Sequence, residues 1–210
     1  MTIVSTIQKR RTQAERATET KDRLISAALE VLRAKGYAGF RVADVTDAAA
    51  LSRGGQTHHF PTKLDLLTAS FARLYEQITE RSRSRLAQLK PEDDVVRQML
   101  DDASDFFLHD DFSIGLDVLA AADRDEELRD AILRTARENR FMVEDMWIGV
   151  LMSRGLSRVD AEDILWLVFN TVRGLAVRTL WQHDEQRFEH VKDVIYKIAK
   201  ERYEARRKSP

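Results

Sequence analysis

The chain has 210 residues, with eight Gly, three Pro and no Cys. Glycine and proline together make about 5% of it, against roughly 12% in average usage, which disfavours a turn-rich β sandwich or barrel. Without cysteine, disulfide scaffolds, thiolate metal sites and thiol catalysis drop out, and the net charge of −1 argues against a uniformly basic or acidic surface.

Residues 1–16 show no apolar periodicity and carry Lys9, Arg10, Arg11 and Arg16, which reads as a flexible basic arm. Met1–Ile7 lacks the apolar core and cleavage site of an export signal, so a cytoplasmic location is expected. From Ala17 the pattern is helical, with Leu24, Ala28 and Val31 on one line and Ile25, Leu29 and Leu32 on the next; Gly36 should stop this helix. Val42–Ala49 places Val45, Ala48 and Ala49 on one face, and Ser52 suits an N-cap for a further short helix to about His58.

A long helix is expected from Lys63 to about Leu89, between Pro61 and Pro91, with Leu64, Leu67, Phe71, Leu74 and Ile78 holding one face. No proline follows until Pro210, which permits long helices at about 92–109, 113–122, 126–152, 158–182 and 185–206. Ser157 suits an N-cap and Gly155 a C-cap. The longest apolar run, Ile164–Phe169, is six residues, against the ~18 or more of a membrane span. The chain reads as all-α.

Charge is unevenly distributed. Residues 1–63 hold eleven Lys/Arg against six Asp/Glu, whereas 91–130 hold three against fourteen, and 197–210 six against two. A basic end on an otherwise acidic chain points to a polyanion partner confined to that end.

Two short helices joined by Ala50-Leu51 have the dimensions of a helix-turn-helix, whose second helix enters the major groove. Gly54 and Gly55 lie inside that second helix, where each costs about 1 kcal/mol relative to alanine. Close approach to a phosphate backbone gives such glycines a purpose. Arg53, Gln56 and His58 carry groups that hydrogen-bond base edges. Thr57, Arg41 and Lys63 suit phosphates, and Arg10 and Arg11 can follow the backbone or enter the minor groove.

The stretch Arg23–Leu67 resembles the DNA-binding domain of the TetR/AcrR family of bacterial transcription regulators. The resemblance rests on Ala28, Gly36-Tyr37, Val42, Asp44-Val45, Ala48-Ala49, Ser52, Gly54, His59-Phe60, Lys63 and Leu66-Leu67. It implies a three-helix helix-turn-helix domain over 17–66, joined by a long helix to a ligand-sensing and dimerisation domain over 67–210, and it adds Ser52, Gly54, Gly55 and His59 to the DNA-facing set. The chain departs from the family pattern at Phe40-Arg41, where a threonine pair is usual, at Ala50, usually glycine, and at Thr57, usually a phosphate-touching tyrosine.

The resemblance further implies a homodimer on a palindromic double-stranded operator, released by an unknown small-molecule effector. The expected dimer seam is Phe188, Val191, Ile195 and Ile198 with Ile164, Val168, Val172 and Leu175; the same spacing also suits packing within the chain. Phe106, Phe107, Phe141, Met142, Trp147, Trp166 and Phe169 are either pocket wall or plain core. Asn170 and Arg173 interrupt the apolar surface and suit polar anchors in such a pocket or at an interface.

Enzyme chemistry finds no support. There is no Glu-x-x-His, no P-loop, no dinucleotide fingerprint and no Gly-x-Ser-x-Gly. His109, His183 and His190 lack a partner histidine at metal-binding helical spacing, and the adjacent His58 and His59 chelate poorly together, so no metal or cofactor is expected. A helical protein-binding adaptor would account for the acidic middle but not for the basic first third and its glycines.

Overall fold

Thr12 opens the first helix. Its hydroxyl accepts from Glu15 N at 3.2 Å, while the Glu15 carboxylate accepts from Thr12 N at 2.7 Å, a reciprocal cap that satisfies two donors otherwise orphaned at a helix start. Helix α1 (Gln13–Gly39) therefore begins four residues before its apolar periodicity does, and Arg16 belongs to it rather than to an arm. The computed structural model describes residues 12–122 and 125–207; Arg10 and Arg11 lie outside the described residues. At Gly36 the backbone turns to φ 63, ψ −179, a region essentially restricted to glycine. The helix breaks there and only a short turn continues to Gly39.

The next elements are α2 (Val42–Ala48), α3 (Arg53–His59) and α4 (Lys63–Ala87). Ser52 caps α3 by accepting from Gly55 N at 3.2 Å, and Thr62 with Asp65 repeats the reciprocal cap at α4. Then follow α5 (Val95–Phe107), α6 (Asp110–Ala121), α7 (Glu126–Ser153), α8 (Arg158–Arg178) and α9 (Glu185–Arg206). Among the described residues there is no strand, as an all-α reading requires. Helix α5 starts later than expected because Asp94 caps it from 94. Helix α6 starts earlier because the His109 ring accepts from Asp111 N at 3.2 Å. Helix α8 stops at Arg178 rather than 182, leaving Leu180 and Trp181 in the turn before α9.

Two apolar cores form. The first unites Leu24, Leu32, Val45, Phe60, Leu66 and Phe71 with Ile114, Val118, Leu128 and Ile132. The second unites Val96, Met99, Phe107, Trp147, Leu151, Ile164, Val168, Phe169 and Val172. Helix α6 and the first turns of α7 thus pack with the N-terminal helices, although they lie far beyond residue 66 in sequence. Helices α4 and α7 run through both cores and pack along each other. No described helix is long and apolar enough to cross a membrane.

Candidate nucleic-acid interface

The first core fixes α2 and α3 from behind. Val45 and Ala49 are buried, and Arg23 of α1 donates to the Ala49 carbonyl at the end of α2. The turn closes through Ala50 N to Asp47 O at 3.0 Å and Leu51 N to Thr46 O at 2.9 Å. Ala50 sits at φ 49, the left-handed region where a side chain is strained, so the family's usual glycine has a conformational reason here. Arg41 occupies the N-cap of α2 and makes no capping bond with its side chain; Phe40 beside it is buried.

Arg53, Gly54, Thr57 and His58 are exposed on one side of α3, His59 is half-buried, and Ser52 stands at its start. A Cβ built on Gly54 would meet nothing nearer than Ser52 Oγ at 4.0 Å, and one on Gly55 nothing nearer than the same atom at 3.6 Å. Packing within the chain therefore demands neither glycine. Gln56 is a correction: it is 5% exposed and donates its amide to the Phe60 carbonyl, so it braces the end of α3 instead of reaching a base. The Thr57 hydroxyl donates to Arg53 O at 3.0 Å, and the two histidine rings meet edge to face at 5.1 Å.

Lys63, at the start of α4, lies with Nζ 4.4 Å from the Tyr37 ring centroid and 5.4 Å from that of Phe40. Burial, then the neighbouring Arg41 charge, lower its pKa below the usual lysine value. An anion beside it would offset the Arg41 repulsion and favour the charged ammonium. Arg23 and Tyr37 carry the site from beneath and were not singled out as functional in the sequence; their long-range partners become visible only in the fold.

The other expected sites divide. Phe107, Trp147 and Phe169 are buried in the second core, and Phe106 packs against Phe107 and Phe112. Met142 is exposed and receives Arg83 Nη2 at 3.6 Å. Phe141, Trp166, Phe169, Asn170 and Arg173 do come together, lining with Leu133, Ala136, Arg137, Glu144 and Leu165 a cleft of about 240 Å³ between α7 and α8. There the Arg173 guanidinium lies 4.9 Å from the Phe107 ring centroid, donates to Asn170 Oδ1 at 3.0 Å and stands 4.0 Å from Glu144.

The expected dimer seam needs correcting. Ile164, Val168, Val172, Phe188 and Ile195 are buried inside the chain, Leu175 and Val191 are half-buried, and only Ile198 is exposed. Helices α8 and α9 pack on each other and on α5, which consumes the seam internally. Their outward face carries Trp166, Leu167, Val194 and Ile198, with Leu180 and Trp181 in the intervening turn.

A short helix braced from behind, a left-handed turn and a second short helix with its polar face outward define a helix-turn-helix DNA-binding protein. A family model described as "Bacterial regulatory proteins, tetR family" matches residues 24–69. The chain is 71% identical over 195 residues to the HTH-type transcriptional regulator CymR of Pseudomonas putida, a match covering 93% of this chain and 96% of that one. The chain belongs to the tetR family of bacterial regulatory proteins and is a transcriptional regulator, not an enzyme. Solved structures of similar fold include a transcriptional regulator from Rhodococcus sp. Rha1, 23% identical with TM-score 0.67 over 90% of this chain and 99% of that one. A TetR-family regulator from Cytophaga hutchinsonii is 14% identical with TM-score 0.69 over 95% and 100%.

Proposed function

We propose that the protein is a homodimeric repressor, acting in the cytoplasm, that binds a palindromic double-stranded operator and releases it when a small molecule binds the C-terminal helices. The observation that carries the DNA reading is the exposed row Arg53, Gly54, Thr57 and His58 on a helix whose glycines have no packing role within the chain. In this reading Arg53 and His58 face bases; Thr57, His59, Arg41 and Lys63 face phosphates, with Ser52, Gly54 and Gly55 permitting the approach. In this reading Arg10 and Arg11, outside the described residues, add contacts to the DNA backbone or the minor groove. The effector site that fits best is the α7–α8 cleft, which combines apolar walls with Asn170 and Arg173.

The cleft lies on the stretch of α7 that joins the two cores, since Leu133 follows Ile132 of the first and Phe141 precedes Val143 of the second. An occupant there biases how α7, and with it α6 and the N-terminal helices, sits against α8. Binding that favours the displaced arrangement must weaken operator affinity by the same factor that operator weakens effector affinity. The test is selection of duplexes from a random library by the purified protein, followed by titration of the selected duplex at about 50 and 200 mM salt, where phosphate-dominated binding falls by orders of magnitude. Salt-independent binding, or no selected sequence, removes the DNA reading. Compounds that raise the melting temperature yet leave duplex affinity unchanged remove the effector switch.

A further inference from the structure

Tyr37 is tied by its backbone to α6. Its backbone N–H, freed by the break at Gly36, donates to Asp117 Oδ2 of α6 at 2.6 Å, a short charge-assisted bond. Asp125, the N-cap of α7, acts on the hydroxyl: burial first, then the Asp125 charge, raise the Tyr37 pKa. The Tyr37 ring lies against the Lys63 ammonium at 4.4 Å. Lysine is a point charge on a flexible stem, so the ring defines where this one stands while leaving its other side open to an anion. Gly36 permits the arrangement, because a Cβ there would lie 3.0 Å from Asp117 Oδ2.

We infer that Asp117 and Tyr37 form a positioning link through which α6 sets Lys63, so that a displacement of α6 weakens an operator phosphate contact without rearranging the base-facing side chains of α3. The inference rests on the DNA-binding reading above. It assigns to Asp117, more than fifty residues along the chain from Lys63, a role in DNA affinity though it is not itself a DNA contact. The link is asymmetric in purpose: it governs the electrostatic, sequence-independent part of binding, leaving sequence preference to α3.

The test measures affinity for the duplex selected by the wild-type protein as a function of salt. Lys63→Gln should lower the slope of log K against log salt by about 0.9 per protomer, one counterion. Asp117→Ala and Tyr37→Leu should each reproduce about half or more of that loss, with the selected sequence unchanged. Asp117→Asn, which keeps an acceptor oxygen, should restore most of it. Adding Asp117→Ala to Lys63→Gln should change the slope no further. Wild-type slopes for Asp117→Ala and Tyr37→Leu, or full additivity with Lys63→Gln, overturn the link. An unchanged slope for Lys63→Gln itself removes Lys63 as a phosphate contact and the link with it, while DNA binding stands; failure of the wild type to bind any duplex instead removes the reading beneath. Melting curves of the same variants separate unfolding from repositioning, since Asp117 is exposed.

Discussion

Ala50 and Gly54 place opposite demands on the same motif. Ala50 holds φ 49, a conformation that costs a residue with a side chain roughly 1–2 kcal/mol, part of which glycine returns as unfolded-chain entropy. Ala50→Gly should therefore stabilise the protein by about 0.5–1 kcal/mol, read as a raised urea midpoint with unchanged m-value; a lowered midpoint refutes the strain. Gly54→Ala should also stabilise, by about 1 kcal/mol, because the added methyl meets open space, yet it should weaken operator binding by occupying the approach to DNA. Gain in both stability and affinity sinks the close-approach reading. The glycines were legible in the sequence because they contradict helix propensity. The inward turn of Gln56 was not read, although Phe60 four residues on shares its face; seven residues leave the phase of a helix to its neighbours, and here Phe60 is buried and holds the Gln56 amide with its carbonyl.

Helix ends follow the same logic one level up. Apolar periodicity, the Ser52 cap and the proline-free stretch after Pro91 located the described helices, but the boundaries were set by caps that periodicity does not carry: Thr12 with Glu15 extends α1 backward, and Asp94 delays α5. Asp94 does more than cap. One oxygen accepts from Val96 N and Arg97 N at 3.1 Å, and the other accepts from Tyr196 Oη at 2.6 Å and Lys200 Nζ at 3.0 Å, which pins the start of α5 to α9. Burial pushes its pKa up, but the Tyr196, Arg97 and Lys200 contacts outweigh this and the net shift is downward. A lowered folded pKa means stability that is present above the unfolded value and is lost as pH falls through the folded one. Asp94→Asn keeps a good cap but removes the charge and turns the acceptor that faces Tyr196 and Lys200 into a donor. It should cost about 1 kcal/mol at neutral pH, a figure discounted for the group's partial exposure. That deficit should shrink as the pH drops below about 4, where the carboxylate of the unfolded chain protonates first and the folded one follows at lower pH. A deficit that stays constant down to pH 3 assigns the effect to shape instead of charge.

At the scale of the whole molecule, the architecture was legible and what covers the apolar seams of α8 and α9 was not, for one physical reason. A three-four apolar rhythm marks a helix face that wants covering, but the same rhythm is satisfied by a neighbour in the chain or in a second copy. Val168 and Ile195 found their cover in the second core, and Phe188 is likewise buried within the chain. What remains outward on α8 and α9 is Trp166, Leu167, Val194 and Ile198, continued by Leu180 and by Trp181, which is 73% exposed. We propose that these exposed apolar side chains form the surface through which two copies pair, as the proposed palindromic operator requires. Ile198 is 48% exposed in the single chain, so Ile198→Glu should leave the helical fold intact while placing two like charges near a two-fold axis. Sedimentation should then find a monomer, and operator affinity should fall by about 10²–10⁴, the gain that linking two half-site contacts supplies. Val168→Glu, by contrast, should unfold the C-terminal core, because a charge there has no water and no partner. An Ile198→Glu protein that remains dimeric with undiminished operator affinity would place the interface elsewhere on the molecule.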